Sequence, residues 1–332
     1  MTSPDRGAPT IIDVAHAAGV SKSLVSLAIR GDAGVSDATR ERILAVAAEL
    51  GYRSNTLARG LARGRTQVIG VVVSDLRNPY HADIVTGIEA AAQGAGFGTV
   101  IGHGQADPAT LAERLDQMID LGVDGVIVAS AMLPADALDA LAARRPAVMV
   151  GRPFEQPRHV SVVRNHDERG AALAVDHLLS LGHERVVHLA SSERAAAQAR
   201  RRAYGEAMTR VGLPATTLAV ADAGVSQLVR SLSDADAPTA CFAGNDRAAV
   251  ALLHEALDAG VGVPERLSIV GYDNAEAGRQ VRPALTTVEQ PRDAMGREAT
   301  RLLLQRIDGE SETVEVTLEP HLIVRGSTGA PW

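Results

Sequence analysis

Between Thr10 and Gly31 the chain reads TIIDVAHAAGVSKSLVSLAIRG, with apolar positions recurring at helical spacing on either side of one glycine. Ile11, Val14 and Ala15 form the apolar stripe of a first short helix. Thr10 and Asp13 fit a capping box, in which hydroxyl and carboxylate cover free N–H groups at the helix start. Gly19 supplies the turn, because glycine tolerates the left-handed backbone that often follows a helix. Val20 plugs the gap between helices and Ser21 caps the second one. There Leu24, Val25 and Ala28 face inward, while Lys22, Ser23, Ser26 and Leu27 face outward. Ser36 caps a third helix, with Asp37 in its first turn. Ile43, Val46, Ala47 and Leu50 repeat along it, and Gly51 ends it. Three helices of this length bury only a thin core and predict marginal independent stability.

From Gln67 the periodicity changes. Short apolar strands alternate with amphipathic helices: VIGVVVS, a helix from about His81 to Gly94, TVIG, a helix around Ala109–Leu121, GVIVAS, a helix near Ala135–Ala143, then AVMVG and SVV. The pattern restarts after Asp167 with a helix to Leu181, RVVHLAS, a long helix through Arg200–Val211, LAVA, ACFAG, a helix after Asp246, and LSIVGY. Such alternation predicts two α/β lobes with parallel sheets, helices on both faces and right-handed crossovers. The two halves share no visible sequence repeat.

Between these regions lies RSNTLARGLARGRT. Arg53, Arg59, Arg63 and Arg65 are placed to meet phosphates, and Leu57 and Leu61 share one helical face. Gly60 and Gly64 weaken it as a free-standing helix. A solvated basic linker is one reading; a helix that forms only when two copies meet on DNA is the other.

Charge sharpens the division. Residues 1–66 carry nine Lys/Arg and six Asp/Glu, a net of +3, which leaves 24 against 34 and a net of −10 for the rest. A basic head on an acidic body suits contact with phosphates at one end only. Lys22, the sole lysine, starts the second helix. The single cysteine, Cys241, excludes an internal disulfide and reads as a small buried residue. The N-terminus MTSPDRGAPT lacks the apolar run of a signal peptide, and no stretch is apolar enough to span a bilayer, so a cytoplasmic protein is expected.

A small polar helix with one face free, reached through an AGVS turn, is what a helix-turn-helix lays into the major groove. IIDVAHAAGVSKSLVSLAIRG, followed by SDATRERILAVAAELGYRSN, LARGLARGRT and VIGVVVSDLRNPY, resembles the lac repressor/galactose repressor family from about Thr10 to about Arg325. The resemblance implies a three-helix headpiece plus hinge, and an α/β, two-lobed, periplasmic-binding-protein-like effector domain. It divides the chain into a disordered tail (1–9), a headpiece (10–53), a hinge (54–66) and an effector-binding and dimerisation domain (67–332). Three crossings divide that domain into lobe 1 (about 67–164 and 292–318) and lobe 2 (about 165–291 and 319–332).

The implied DNA contacts are Lys22 and Ser23 at base edges, with Ser21, Ser26 and Asn55 in positioning contacts. Lys22 equally suits a phosphate. Leu61 is the implied minor-groove wedge, with Ala58 beside it, and such wedges kink the duplex. Leu27 stands where relatives often carry an arginine that reads guanine; leucine suits a thymine methyl instead. Ser54 replaces the proline often found before the hinge, which leaves the linker less rigid when free.

Ligands of such sheets sit at strand C-terminal ends, between the lobes. Bidentate carboxylates, amides and arginine forks suit sugar hydroxyls. The resemblance points to Arg200, Asn245, Asp246, Asp273 and Gln290 first, then Asp75, Tyr80 and Arg152. Asp246 alternatively caps its helix, Asp273 stabilises its turn, and Arg200 joins Arg201 and Arg202 on a solvated basic face. His166–Asp167 stands where the family usually shows Asp–Asn, so His166 offers one donor and one acceptor and a possible pH response. The loop ADAGVSQ lacks an aromatic that some relatives stack on sugar, leaving Tyr80, Phe154 and Tyr272 as platforms. A sugar or sugar phosphate is the default effector, with a nucleoside or other metabolite as the alternative.

Other chemistry is poorly served. GAGFG precedes a strand and lacks dinucleotide-loop spacing, His177 and His183 lack metal spacing, and no Gly-x-Ser-x-Gly elbow occurs. No cofactor, metal or catalytic set is expected. The expected function is an allosteric, homodimeric repressor of operator DNA. A solute-binding protein and an α/β dehydrogenase are the competing classes. After Val324 no leucine heptads suggest a tetramer.

Overall fold

The computed structural model describes residues 9–52 and 65–332. They fall into two units, divided between Thr66 and Gln67.

The first unit contains α1 (Ile11–Ala18), α2 (Lys22–Arg30) and α3 (Asp37–Glu49). The Thr10 hydroxyl accepts the Asp13 N–H at 3.4 Å while the Asp13 carboxylate accepts the Thr10 N–H at 2.7 Å, so the capping box is complete. Gly19 has φ +64°, the left-handed value its turn requires. Val14, Ala15, Ala18, Val25, Ala28, Ile43 and Ala47 form the buried core, with Val20 and Tyr52 packed against it. Two expectations fail. The Ser36 hydroxyl bonds the Thr39 hydroxyl at 2.8 Å and caps no backbone N–H. Leu50, one turn beyond Val46, is 40 % exposed, and Tyr52 packs against the core in its place.

The second unit carries two six-stranded sheets. Its first half runs β1 (Val68–Val73), α4 (Pro79–Gly94), β2 (Gly98–His103), α5 (Pro108–Asp120), β3 (Gly125–Ala129), α6 (Ala135–Ala142), β4 (Ala147–Val150) and β5 (Ser161–Asn165). Then come α7 (Asp167–Ser180), β6 (Val186–Ala190), α8 (Ala195–Arg210), β7 (Thr216–Ala219), α9 (Gly224–Ser231), β8 (Ala240–Ala243), α10 (Asp246–Asp258), β9 (Ser268–Tyr272), α11 (Glu276–Gln280) and β10 (Thr286–Glu289). The chain ends with α12 (Arg292–Ile307), β11 (Glu315–Leu318) and β12 (His321–Ile323).

The first sheet has the order β11-β5-β4-β3-β1-β2, and all of its pairs are parallel. The second has the order β12-β10-β9-β8-β6-β7 and is parallel except for β12, which runs antiparallel to β10. Central strands are apolar throughout because helices cover both faces. In lobe 1, α4 and α12 pack on one side (Ile84, Ile88, Met295, Leu303) and α5 and α6 on the other (Leu111, Met118, Leu138). In lobe 2, α9 and α10 cover one face (Leu228, Leu252) and α7 and α8 the other (Val175, Tyr204). The chain passes between the sheets after β5, after β10 and between β11 and β12.

One segment departs from the sequence reading. ADAGVSQ is a 3-10 turn at Val220–Asp222 followed by α9, in place of a loop. Val225, Leu228, Val229 and Leu232 all reach the lobe-2 core, an apolar stripe at helical spacing. The glycine at 224 is required, because a Cβ there would overlap the Ala219 carbonyl.

Candidate functional site

In the first unit the polar face of α2 is available to solvent. Ser21, Lys22 and Ser23 are exposed, and Ser26 and Leu27 are half-buried. The Ser21 hydroxyl accepts the Leu24 N–H at 3.2 Å, so this residue starts the helix as well as flanking its outer face. At the other end, Arg40 of α3 donates to the carbonyls of Ala28 at 2.9 Å and Asp32 at 2.7 Å. A guanidinium at a helix C-terminus satisfies open carbonyls and complements the dipole. Arg40 thereby fixes α2 against α3, a role the sequence reading missed. Asn55, Ala58 and Leu61 lie outside the described residues.

In the second unit, polar side chains from both sheets meet where their strands end. Asn165 closes β5 in lobe 1, and its Nδ2 donates to the Tyr272 hydroxyl, at the end of β9 in lobe 2, at 2.7 Å. Arg200 of α8 lies with its guanidinium carbon 4.3 Å from the Tyr272 ring centroid, and its Nη1 is 3.8 Å from the Asp167 carboxylate. Arg200 is 8 % exposed, so it is a buried member of this cluster and no part of a solvated basic face. Among the described residues, its Nε and the Asn165 Oδ1 are buried with no hydrogen-bond partner. Orphaned groups of this kind call for a partner, since burying them bare is costly. Burial pushes the Asp167 and Asp273 carboxyls up, opposed in each case by the Arg200 charge.

Gln290, just beyond β10, donates to the Asp273 carboxylate at 2.6 Å and is 7 % exposed. Asp273 is half-buried in backbone with φ +114°, which projects its side chain out of the strand line. Asn245 starts α10, its Oδ1 accepting the Ala248 N–H at 2.9 Å.

Asp246 is different. Its two oxygens accept the Ala275 N–H and the Thr287 hydroxyl, each at 2.6 Å, and it is 1 % exposed. Both bonds stay within the chain, so Asp246 ties the loop that follows Asp273 to β10. Burial, then the neighbouring Asp273 charge, push it up to about 7.

The weaker candidates lie at the rim. Asp75 is clasped by Arg77 through two 3.0 Å bonds that hold it down to about 2. Arg152 makes two bonds, 2.7 and 2.8 Å, to Glu168; burial opposes the charge, yet these bonds hold Glu168 down to about 2. His166 is the N-cap of α7, its Nδ1 accepting the Arg169 N–H at 3.4 Å. Tyr80 is partly buried and meets His81 edge-on at 5.2 Å. Of the other aromatic platforms, Phe154 is 63 % exposed and the Tyr272 ring carries Arg200. The sequence reading set Asp167 beside His166 at the pocket without naming it or Asn165 as a contact, and it missed His81. His81 is 6 % exposed with an unpartnered Nδ1, and burial, then Arg194, push it down to about 4. Among the described residues no cluster of His, Cys, Asp or Glu is arranged to hold a metal ion.

Residues 10–55 match the family described as bacterial regulatory proteins, lacI family, and residues 175–328 match a periplasmic binding protein-like domain. The chain is 31 % identical over 322 residues to catabolite control protein A of Priestia megaterium, covering 95 % of this chain and 97 % of that one. It belongs to the lacI family. This lacI-family chain is similar in structure to the lac repressor dimer bound to operator and the anti-inducer ONPF (TM-score 0.85, 27 % identity, 98 % of this chain and 100 % of that one). It is also similar to a complex of the transcriptional regulator CelR with cellobiose (TM-score 0.71, 33 % identity, 96 % and 99 % covered). The chain is thus a DNA-binding transcriptional regulator and no enzyme, with a helix-turn-helix unit and a two-sheet periplasmic-binding-protein-like unit. Among the described residues no single helix is long and apolar enough to cross a membrane.

Proposed function

We propose that this lacI-family regulator is a cytoplasmic homodimeric repressor whose hold on operator DNA is set by a small sugar bound between its two lobes. Residues 10–53 form the reading headpiece, 54–66 the hinge, and 67–332 the effector-binding and dimerisation domain. Lobe 1 comprises about 67–164 and 292–318, and lobe 2 about 165–291 and 319–332. Ser21, Lys22, Ser23, Ser26 and Leu27 face the major groove, with Asn55, Ala58 and Leu61 serving at the hinge. Pairing of two chains matches the two-fold symmetry of an operator, and the sugar acts by changing the angle between lobes.

The observation that carries this reading is the convergence of Asn165, Asp167, Arg200, Tyr272, Asp273 and Gln290 from two sheets, with Arg200 Nε and Asn165 Oδ1 buried and unpartnered. Cation and carboxylate are already matched there: Arg200 with Asp167, Arg152 with Glu168. A neutral polyol adds hydrogen bonds to such a site, whereas a phosphate would oppose Asp167 and Asp273. A neutral sugar is therefore favoured over a sugar phosphate. Asn245, Tyr80, His166 and Asp75 complete the proposed contact set, and Arg152 anchors Glu168 at its rim.

The test is a thermal-shift panel of neutral mono- and disaccharides, their phosphates, and nucleosides, followed by operator release. A neutral sugar should raise the melting temperature of the parent and leave that of Arg200→Lys unchanged, while both proteins bind DNA without ligand. Stabilisation by phosphates or nucleosides alone would reject the sugar reading.

A further inference from the structure

Arg292 is the first residue of α12, immediately after the second passage between lobes, and is 8 % exposed. Its Nη2 lies 2.8 Å from the Asp83 carboxylate of α4, in lobe 1. From the same guanidinium, Nη1 donates to the carbonyl of Asp273, and Nη2 reaches that of Asn274 at 3.5 Å, both in lobe 2. One planar fork thus spans the boundary between lobes, a geometry that arginine's fixed donors suit and lysine's point charge does not.

The two ends of this fork differ in stiffness. On the lobe-1 side, α12 and α4 cross at glycines: a Cβ on Gly87 would overlap the Asp293 carbonyl, and one on Gly296 the Ile84 carbonyl. The backbones touch, so Arg292 and Asp83 sit on one rigid pair of helices. On the lobe-2 side, the receiving residues hold left-handed backbone, with φ +114° at Asp273 and +50° at Asn274. Both are non-glycine residues, for which that conformation carries strain and must be imposed by neighbours. Gln290 holds the Asp273 side chain, while Glu289 and Arg325 hold that of Asn274 at 2.9 and 2.7 Å. The Arg292 fork is the restraint on this loop that comes from lobe 1.

We propose that Arg292 is an inter-lobe brace: clamped to Asp83, it grips the Asp273–Asn274 carbonyls and sets the closed angle between the lobes. Because Asp273 presents its carboxylate to the proposed ligand site, the brace also joins that site mechanically to α4. Arg292 is a positioning residue in this account. Only the effect on DNA rests on the proposed function.

The test uses the full chain with spin labels at Gln117→Cys on α5 and His254→Cys on α10, diluted with unlabelled protein so that distances within one chain dominate. Cys241 is fully buried and takes no label. Arg292→Met and, independently, Asp83→Asn should each give a longer and broader distance distribution than the parent, with Arg292→Lys between. Asp83 is half-exposed, so its variant keeps the test valid if Arg292→Met fails to fold. Operator Kd should shift by at least about fivefold in the same variants. An Asp83→Asn distribution identical to the parent's overturns the brace. A shifted distribution with unchanged operator Kd supports the brace and counts against the proposed control by lobe angle.

Discussion

The Tyr272 hydroxyl accepts the Asn165 amide at 2.7 Å, joining the end of a lobe-2 strand to the end of a lobe-1 strand. That bond depends on a residue elsewhere. A Cβ on Gly170 of α7 would overlap the Tyr272 hydroxyl. Gly170→Ala therefore pushes Tyr272 away, breaks its bond to Asn165 and tilts the ring under Arg200. The expected cost is about 1–3 kcal/mol in stability, the range for overpacking a core. Denaturant unfolding measures it, and Tyr272→Phe, which removes the 2.3 Å contact but leaves ring carbons 2.9 Å from the added Cβ, should recover only part of it when combined with Gly170→Ala.

Asp246 predicts an unusual pH dependence. Its folded pKa is raised to about 7 by burial, above the 3.8 of an ordinary carboxyl. Between those values the unfolded chain has released the proton and the folded chain retains it, so stability falls as pH rises. The slope is at most about 1.4 kcal/mol per pH unit for one proton. The Thr287 hydroxyl can turn to accept, so Asp246→Asn keeps partners for both side-chain atoms. Its unfolding free energy should be flatter between pH 4 and 7 than the parent's, and an equal slope in both would exclude Asp246 as the source.

The headpiece makes a smaller, local prediction. Ser21 caps α2 through its hydroxyl. Ser21→Ala should destabilise α2 by about 1 kcal/mol, and Ser21→Gly by only a few tenths. Amide exchange along α2 in the full chain without DNA checks this, with no contribution from any contact to bases.

The sequence made the architecture legible wherever a strong period was present. Alternating apolar strands and amphipathic helices gave two α/β lobes, and Thr10, Asp13 and Gly19 marked the first helix and its turn. It was less informative where a residue's role comes from partners distant in the chain. Spacing and composition do not separate Arg200, stacked on Tyr272, from its neighbours Arg201 and Arg202; only the family resemblance singled it out. Arg292 likewise looks like any polar residue at a helix start. Asp246 was drawn into the ligand set because carboxylates at strand ends suit sugars; the structure gives both its oxygens to the chain itself. The α9 helix was missed because the residue at its N-cap is Ala223, whose side chain can accept no hydrogen bond, although Val225, Leu228, Val229 and Leu232 hold the period. Ser36 shows the converse: a good capping residue whose hydroxyl found Thr39 instead.

The most direct test of a ligand-controlled operator-binding dimer is selection of bound sites from random duplexes by the full chain, with and without a cell metabolite extract. The account predicts a palindrome of two half-sites around a flexible central step, with metabolites altering enrichment. The same selection with Leu61→Ala should lose the palindrome while non-specific binding persists, as expected for a wedge at the operator centre. Enrichment of a non-palindromic site, or of none with and without the extract, would contradict the account.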